Sequence, residues 1–184
     1  MLKAVVVRRA LMTDALAVDN LLSEWLDWKP SSGRLKSVRR AIKKGELLVA
    51  TTDSRIIGFV HYVMHEDIID GAPNSFISAF FVTKTHRRRG VGTLLLEEAI
   101  TDSLARGAIG VETSTIHAKA RKLYERHYFK QTMGDIGEVF LELDVDEYLQ
   151  VKKRKEAKKL GSKPAMKYLK DPLLLVLGKD LLRP

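Results

Sequence analysis

The sequence predicts an α/β chain built on a mixed sheet, and three observations carry that expectation. Runs rich in Val, Ile and Phe alternate with runs whose apolar residues recur at helical spacing. A glycine pair, Gly90 and Gly92, stands between an apolar run and an amphipathic one, as at a strand-to-helix turn. The charge changes character late: residues 1–150 carry 21 Lys/Arg against 20 Asp/Glu, whereas residues 151–170 carry nine against one. The net charge of +9 is therefore a property of that segment, and the chain divides into a body, residues 1–150, and an extension, residues 151–184.

In order along the chain, Val5, Val6 and Val7 suggest a buried first strand. Thr13 and Asp14 offer caps to a helix whose apolar positions are Ala15, Val18, Leu21, Leu22 and Trp25. Ser31, Ser32 and Gly33 mark a turn. Leu35, Val38 and Ile42 then follow at helical spacing, and Gly45 ends that helix. Leu47 to Thr52 and Ile56 to Met64 read as a hairpin around Asp53-Ser54-Arg55. Phe76 to Val82 is apolar enough for a central strand. A helix opens at Gly90-Val91-Gly92 with Val91, Leu94, Leu95 and Ala99 on its inner face, and Gly107 closes it. Ala108 to Thr113 is the next strand, Ile116 to His127 a helix, and Phe129 to Met133 and Glu138 to Val145 the last two strands.

A chain of 184 residues suits one well-buried core. With no cysteine it has neither disulfides nor thiolate metal sites, and no enzyme thiol is available for covalent catalysis. The apolar run before Arg8 and Arg9 is too short for a signal peptide, and Leu173 to Leu177 is far short of a membrane span. A cytoplasmic location is the expectation.

The chemistry concentrates in Arg87-Arg88-Arg89-Gly90-Val91-Gly92-Thr93. Glycines let the backbone approach a ligand closely. The unpaired N–H groups of a first helical turn, at the positive end of the helix dipole, attract an anion, and the arginines add charge beside them. A pyrophosphate fits such a site; a plain turn with solvated arginines is the bland alternative. The segment is neither a Walker loop, because no lysine follows Gly92, nor a dinucleotide fingerprint, because Leu95 stands where its third glycine would be.

In that context the sequence resembles the GNAT superfamily of N-acetyltransferases. The family's acetyl-CoA signature, Arg/Gln-x-x-Gly-x-Gly/Ala after an apolar strand, is matched by Arg87-x-x-Gly90-x-Gly92. Its second block, Asn-x-x-Ala-x-x-Leu-Tyr-x-x-x-Gly-Phe, is met by His117-x-x-Ala120-x-x-Leu123-Tyr124-x-x-x-Tyr128-Phe129. Two positions depart: His117 stands in place of asparagine, and Tyr128 in place of glycine. The resemblance runs from Val5 to Val145 and implies a mostly antiparallel central sheet flanked by helices. It implies that the backbone of Phe80, Phe81 and Val82 pairs with the pantetheine amides, although core packing is the simpler role for at least one of those phenylalanine side chains. It further implies that Arg88, Arg89, Gly90, Val91, Gly92 and Thr93 hold the pyrophosphate beside Arg87, with His117 near the pantetheine arm.

Direct acetyl transfer needs an acceptor for the amine's proton and a donor to the leaving thiolate. Spacing alone makes Tyr124 a core tyrosine; the resemblance places it near the thioester sulfur. Glu112, five residues before His117, stands where ribosomal-protein and N-terminal acetyltransferases of the family often carry a catalytic glutamate, and as a lone charged strand residue it could equally face outward. Glu66, Asp67 and Asp70 form an acidic cluster suited to attracting a cationic acceptor, to removing its proton through water in place of Glu112, or to a solvated loop. His61 and His65, about 13 Å apart on a strand, make no metal pair, and no metal is expected.

The expected activity is transfer of acetyl from acetyl-CoA to a primary amine: a protein N-terminus, a lysine, a polyamine or a small metabolite. A non-catalytic acyl-CoA sensor and an RNA- or ribosome-associated protein working through its basic segment are the competing readings. A helix over about Asp146 to Leu160 is expected outside the catalytic body, its basic face more simply a solvated surface than a nucleic-acid site. The leucines from Leu173 to Leu177 are expected to dock on the body or on a second copy of the chain, as in a homodimer.

Overall fold

A computed structural model describes residues 4–53, 55–68, 71–134 and 137–160. Ser54, Asp70, the stretch from Gly161 to Pro164 and the leucines from Leu173 to Leu177 lie outside the described residues. The fold is α/β, with seven strands in a mostly antiparallel sheet flanked by helices. The chain divides into two compact units: Met1–Glu66 with Ser75–Ile100, and Asp67–Asn74 with Thr101–Pro184.

In the first unit the strands run in the order β1 (Val6–Arg9), β2 (Leu47–Thr52), β3 (Arg55–Glu66) and β4 (Pro73–Val82). The expected hairpin is present, with Thr52 opposite Arg55 and Asp53 at φ 49°. The first strand differs from expectation. It is outermost of the four, bonded to β2, and Val6 is exposed rather than buried. α1 (Ala15–Leu26) begins where expected, but Asp14 caps the preceding turn instead: its carboxylate accepts from the Leu11 N–H at 2.7 Å and from Arg8 at 2.6 Å. α2 (Ser32–Lys44) starts earlier than its apolar spacing indicates, because the Ser31 hydroxyl accepts from the Arg34 N–H and draws Ser32 and Gly33 into the first turn. Gly45, at φ 70°, ends it as expected.

The core of this unit packs Val18, Leu21, Val38 and Ala41 against Leu47, Val49, Phe59 and Phe81. Trp25 stacks on Phe81 at 6.2 Å and meets Phe59 edge-on at 6.3 Å. Asp19, 1% exposed, ties the two helices together by accepting from Arg34 Nε at 2.6 Å, while the same guanidinium reaches the Asp19 carbonyl and the Ser23 hydroxyl. α3 (Val91–Ala105) buries Val91, Leu95, Leu96, Ala99 and Ile100. Leu94, expected on that inner face, is 43% exposed, and Leu96 takes its place. Gly58 permits the close approach, since a Cβ there would stand 2.8 Å from the Phe81 carbonyl and 3.2 Å from Leu95.

In the second unit β7 (Val139–Leu143) lies between β5 (Gly110–Thr115) and β6 (Phe129–Met133), antiparallel to both. β5 sits two residues later than the expected Ala108 to Thr113. Gly107, at φ 95°, turns the chain out of α3, and the connector is fixed by the Ile109 N–H donating to the Pro73 carbonyl. α4 (Ala118–Glu125) is shorter than the expected Ile116 to His127: Ile116 is 67% exposed and His117 is the extended residue before the first turn. α5 (Val145–Leu160) matches the expected late helix and runs unbroken through residue 150. Asp144 starts it by accepting from the Glu147 N–H at 2.9 Å. Tyr148 is buried and Lys152 donates to Thr101 at 3.1 Å, whereas Lys153, Arg154, Lys155, Lys158 and Lys159 are all exposed.

Candidate functional site

The apolar strand β4 leads into a short 3-10 turn, Lys84–His86, and then into the arginine run. Of its last residues, Phe81 is a core side chain, and Phe80 and Val82 are half-buried. Arg87 folds back on the strand it follows. Its Nε donates to the Val82 carbonyl at 2.7 Å, and its guanidinium lies 5.3 Å from the Phe81 ring centroid. That anchors the turn and leaves Arg88 and Arg89 exposed. Two residues then take left-handed backbones, Arg88 at φ 60° and Gly90 at φ 82°. For arginine such a conformation costs about 1–2 kcal/mol, so the turn holds strain next to a helix start. The first helical bond, Leu94 N–H to the Gly90 carbonyl at 3.0 Å, leaves the N–H groups of Val91, Gly92 and Thr93 without a helical acceptor. A Cβ on Gly90 would meet nothing within 4 Å. The space over the turn is open, positively charged and lined by backbone donors, which fits a pyrophosphate.

Tyr124, Glu112 and His117 belong to the second unit. Tyr124, on α4, is 3% exposed; its hydroxyl is hydrogen-bonded to the buried Thr113 on β5, and its ring lies 5.3 Å from that of Phe129. Burial raises the phenol's pKa above its ordinary value, with the Thr113 bond opposing in part. The phenol is thus protonated across the neutral range and is a proton donor, not a base. Val111 and Thr113 turn toward α4, so the alternation of β5 puts Glu112 on the opposite face, directly across from Glu142 of β7. Glu112 is partly exposed, as an outward-facing residue would be. His117 is exposed, makes no side-chain cap, and is held through its backbone N–H on the Thr115 hydroxyl. Tyr128, where the motif has glycine, takes a left-handed backbone at φ 68°.

Of the acidic cluster, Glu66 ends β3, and Asp67 enters a tight loop in which its N–H donates to the Ala72 carbonyl. His61 Nδ1 lies 2.6 Å from the Ser78 hydroxyl on β4. Sequence reading did not find this contact, since no spacing rule joins residues 17 apart on two strands. Among the described residues, no group of three or more His, Asp or Glu is placed to hold a metal ion, and no helix is long and apolar enough to cross a membrane.

Residues 15–129 match the family model described as Acetyltransferase (GNAT) family. The chain belongs to that family. It is an acetyl-CoA-dependent acetyltransferase, and both the glycine turn and the Tyr124 helix fall inside the matched region. Its fold is shared with the PaiA N-acetyltransferase of Thermoplasma acidophilum in complex with coenzyme A, at 17% identity and TM-score 0.60 over 76% of this chain and 98% of that one. A chain of the NatC complex bound to Gag peptide and CoA gives 19% identity and TM-score 0.64 over 76% and 97%. The aminoglycoside N-acetyltransferase AAC(6')-Iy in complex with CoA gives 19% and 0.64 over 73% and 93%. None of the curated proteins matches the chain.

Proposed function

We propose that this GNAT acetyltransferase is an N-acetyltransferase that moves the acetyl group of acetyl-CoA directly onto a primary amine. The observation that carries the reading is the left-handed turn of Arg88 and Gly90 at the open start of α3, immediately after the apolar strand β4. In it Arg88, Arg89, Gly90, Val91, Gly92 and Thr93 hold the pyrophosphate, and the backbones of Phe80, Phe81 and Val82 face the pantetheine. Arg87 serves by bracing the turn. His117, exposed at the start of α4, contacts the pantetheine arm.

The amine lone pair forms the new N–C bond, the C–S bond breaks, and the ammonium proton leaves to a base. Glu112 is that base and Tyr124 the donor that protonates the departing thiolate. They lie on opposite faces of β5. The acceptor is a protein N-terminus, a lysine, a polyamine or a small metabolite, and a cationic one also suits the Glu66 and Asp67 side of the chain. Catalysis is assigned to residues 1–150 in the cytoplasm, and residues 151–184 are an extension.

Two measurements test the reading. A melting-shift series with acetyl-CoA, CoA, ATP and NAD should show stabilisation by the first two alone. Thiol release in the presence of spermidine, free lysine or a short peptide should then separate an enzyme from a sensor, which would bind without turnover. The chain has no cysteine, so every thiol detected is released CoA. No melting shift with saturating acetyl-CoA would overturn the reading.

A further inference from the structure

A second titratable group stands beside β4, in the first unit, and the mechanism above does not use it. His61 on β3 is half-buried, and its Nδ1 is 2.6 Å from the hydroxyl of Ser78, which is exposed on β4. The charged groups facing the imidazole come from the junction of α2 and β2: the carboxylate of Glu46, itself 5% exposed, and Lys44, whose Nζ is 3.8 Å from Glu46 Oε2. Burial lowers the imidazole's pKa below its ordinary value of 6.5, Glu46 opposes that shift, and Lys44 adds to it. The ring is therefore neutral at rest, with a carboxylate near enough to stabilise the proton it would gain.

Position gives this pair a task. With the pyrophosphate at Arg88 to Thr93 and the pantetheine running back along β4 through Val82 and Phe80, the acetyl end points toward the start of the strand. Ser78 is two residues beyond Phe80, a step of about 7 Å. We propose that Ser78 and His61 form a proton relay for the acceptor amine, Ser78 taking the amine's proton while passing its own to His61 Nδ1. The inference rests on the acetyltransferase reading and deepens it by giving Ser78 and His61 the proton assigned above to Glu112.

The step balances. As the amine nitrogen bonds to the acetyl carbon and the C–S bond breaks, one proton moves from nitrogen to the Ser78 oxygen and the Ser78 proton moves to His61, leaving an imidazolium. The thiolate leaves with the electron pair of the broken C–S bond and takes a proton from solvent. The relay needs the tautomer with hydrogen on Nε2, in which Ser78 donates to Nδ1; the competing contact of that hydroxyl, to the His61 carbonyl, is longer at 3.4 Å. Solvent exposure of Ser78 gives the amine access, and the Glu46 carboxylate favours the proton that His61 accepts.

The test begins with the full-length protein and acetyl-CoA alone. The His61 ring signal, identified by its loss in His61→Gln, is titrated by NMR without ligand, with CoA and with acetyl-CoA. The midpoint is expected below 6.5, and acetyl-CoA should displace it differently from CoA, because only the acetyl end reaches Ser78. Ser78→Ala should erase that difference. With an amine that is turned over, His61→Gln should lower kcat/KM at least ~10-fold and remove the acid limb of the pH profile, as expected for loss of a general base. If acetyl-CoA shifts melting yet the His61 midpoint is the same with CoA and acetyl-CoA, or if His61→Gln keeps the parent pH profile, the relay is wrong and the acetyltransferase reading stands. If acetyl-CoA gives no melting shift, that reading fails and takes the relay with it.

Discussion

Replacing Gly90 with alanine separates the cost of a backbone from the loss of a ligand. Gly90 sits at φ 82°, and an added Cβ would meet no atom within 4 Å, so the free protein is charged only for the left-handed conformation. That is about 1–2 kcal/mol, which in a chain of this size lowers Tm by about 2–8 °C. Acetyl-CoA at a hundred times its Kd should stabilise the parent by about 2.7 kcal/mol, or about 5–11 °C. In Gly90→Ala that gain should vanish, because the methyl group fills the open space over the turn. Gly107 supplies the matched control, with φ 95° and likewise nothing within 4 Å of a built Cβ, at the far end of α3. Gly107→Ala should lose similar stability and keep the full ligand shift. The assay is a melting curve for each variant with and without acetyl-CoA. A Gly90→Ala protein that retains the parent's ligand shift would refute the pyrophosphate assignment, and equal loss of the shift in both variants would show that backbone strain alone explains it.

Tyr124→Phe removes the phenolic hydroxyl and should lower turnover about 10²-fold with the acetyl-CoA melting shift retained; an unchanged rate would leave Tyr124 a core residue. Asp19→Ala strands the largely buried Arg34 guanidinium and should cost about 3–5 kcal/mol, read by urea denaturation, whereas exposed Glu125→Ala should stay within about 0.5 kcal/mol. Asp14 has its pKa lowered below the ordinary 3.8, chiefly by the hydrogen bond from Arg8. Its contribution is thus complete above pH 3.8 and lost as pH falls through the lower folded value, a loss that acid titration of Asp14→Asn should lack. Changing Lys153, Arg154, Lys155, Lys158 and Lys159 to glutamine should leave acetyl-CoA binding intact; any RNA retention by the parent should fall steeply with salt and be lost in the variant.

The turn at Gly90, the β2–β3 hairpin and the Gly45 end of α2 were legible because each depends on local chemistry: a left-handed glycine or a tight connection. Positions that depend on the rest of the fold were not. Leu94 and Leu96 are equally good core candidates by composition, and only the direction from which the sheet meets α3 selects Leu96. The two-residue displacement of β5 follows from the Ile109–Pro73 bond, which joins residues far apart in sequence. Nor does any local signal insert β7 between β5 and β6. At the site, Tyr124 and Glu112 could be named from the motif and its offset, but their opposite faces on β5 emerge only from the strand's pairing and the Thr113 contact. At Tyr128 the departure from glycine was visible; that the tyrosine would take a left-handed backbone was not.

The exposed end of α5 has a consequence for how the protein would age. Beyond Lys152 the described helix presents five basic side chains to solvent, and each is a cleavage site for a trypsin-like protease. A protease needs an extended substrate, so such a cut requires local opening of the helix. Elsewhere, Arg34 is held by a buried carboxylate and Arg87 by a strand carbonyl. A nick within residues 153–159 would shed much of the chain's positive charge and leave the glycine turn, Tyr124 and Glu112 in the retained fragment. Catalysis and basicity are written on this molecule so that one can be cut away from the other.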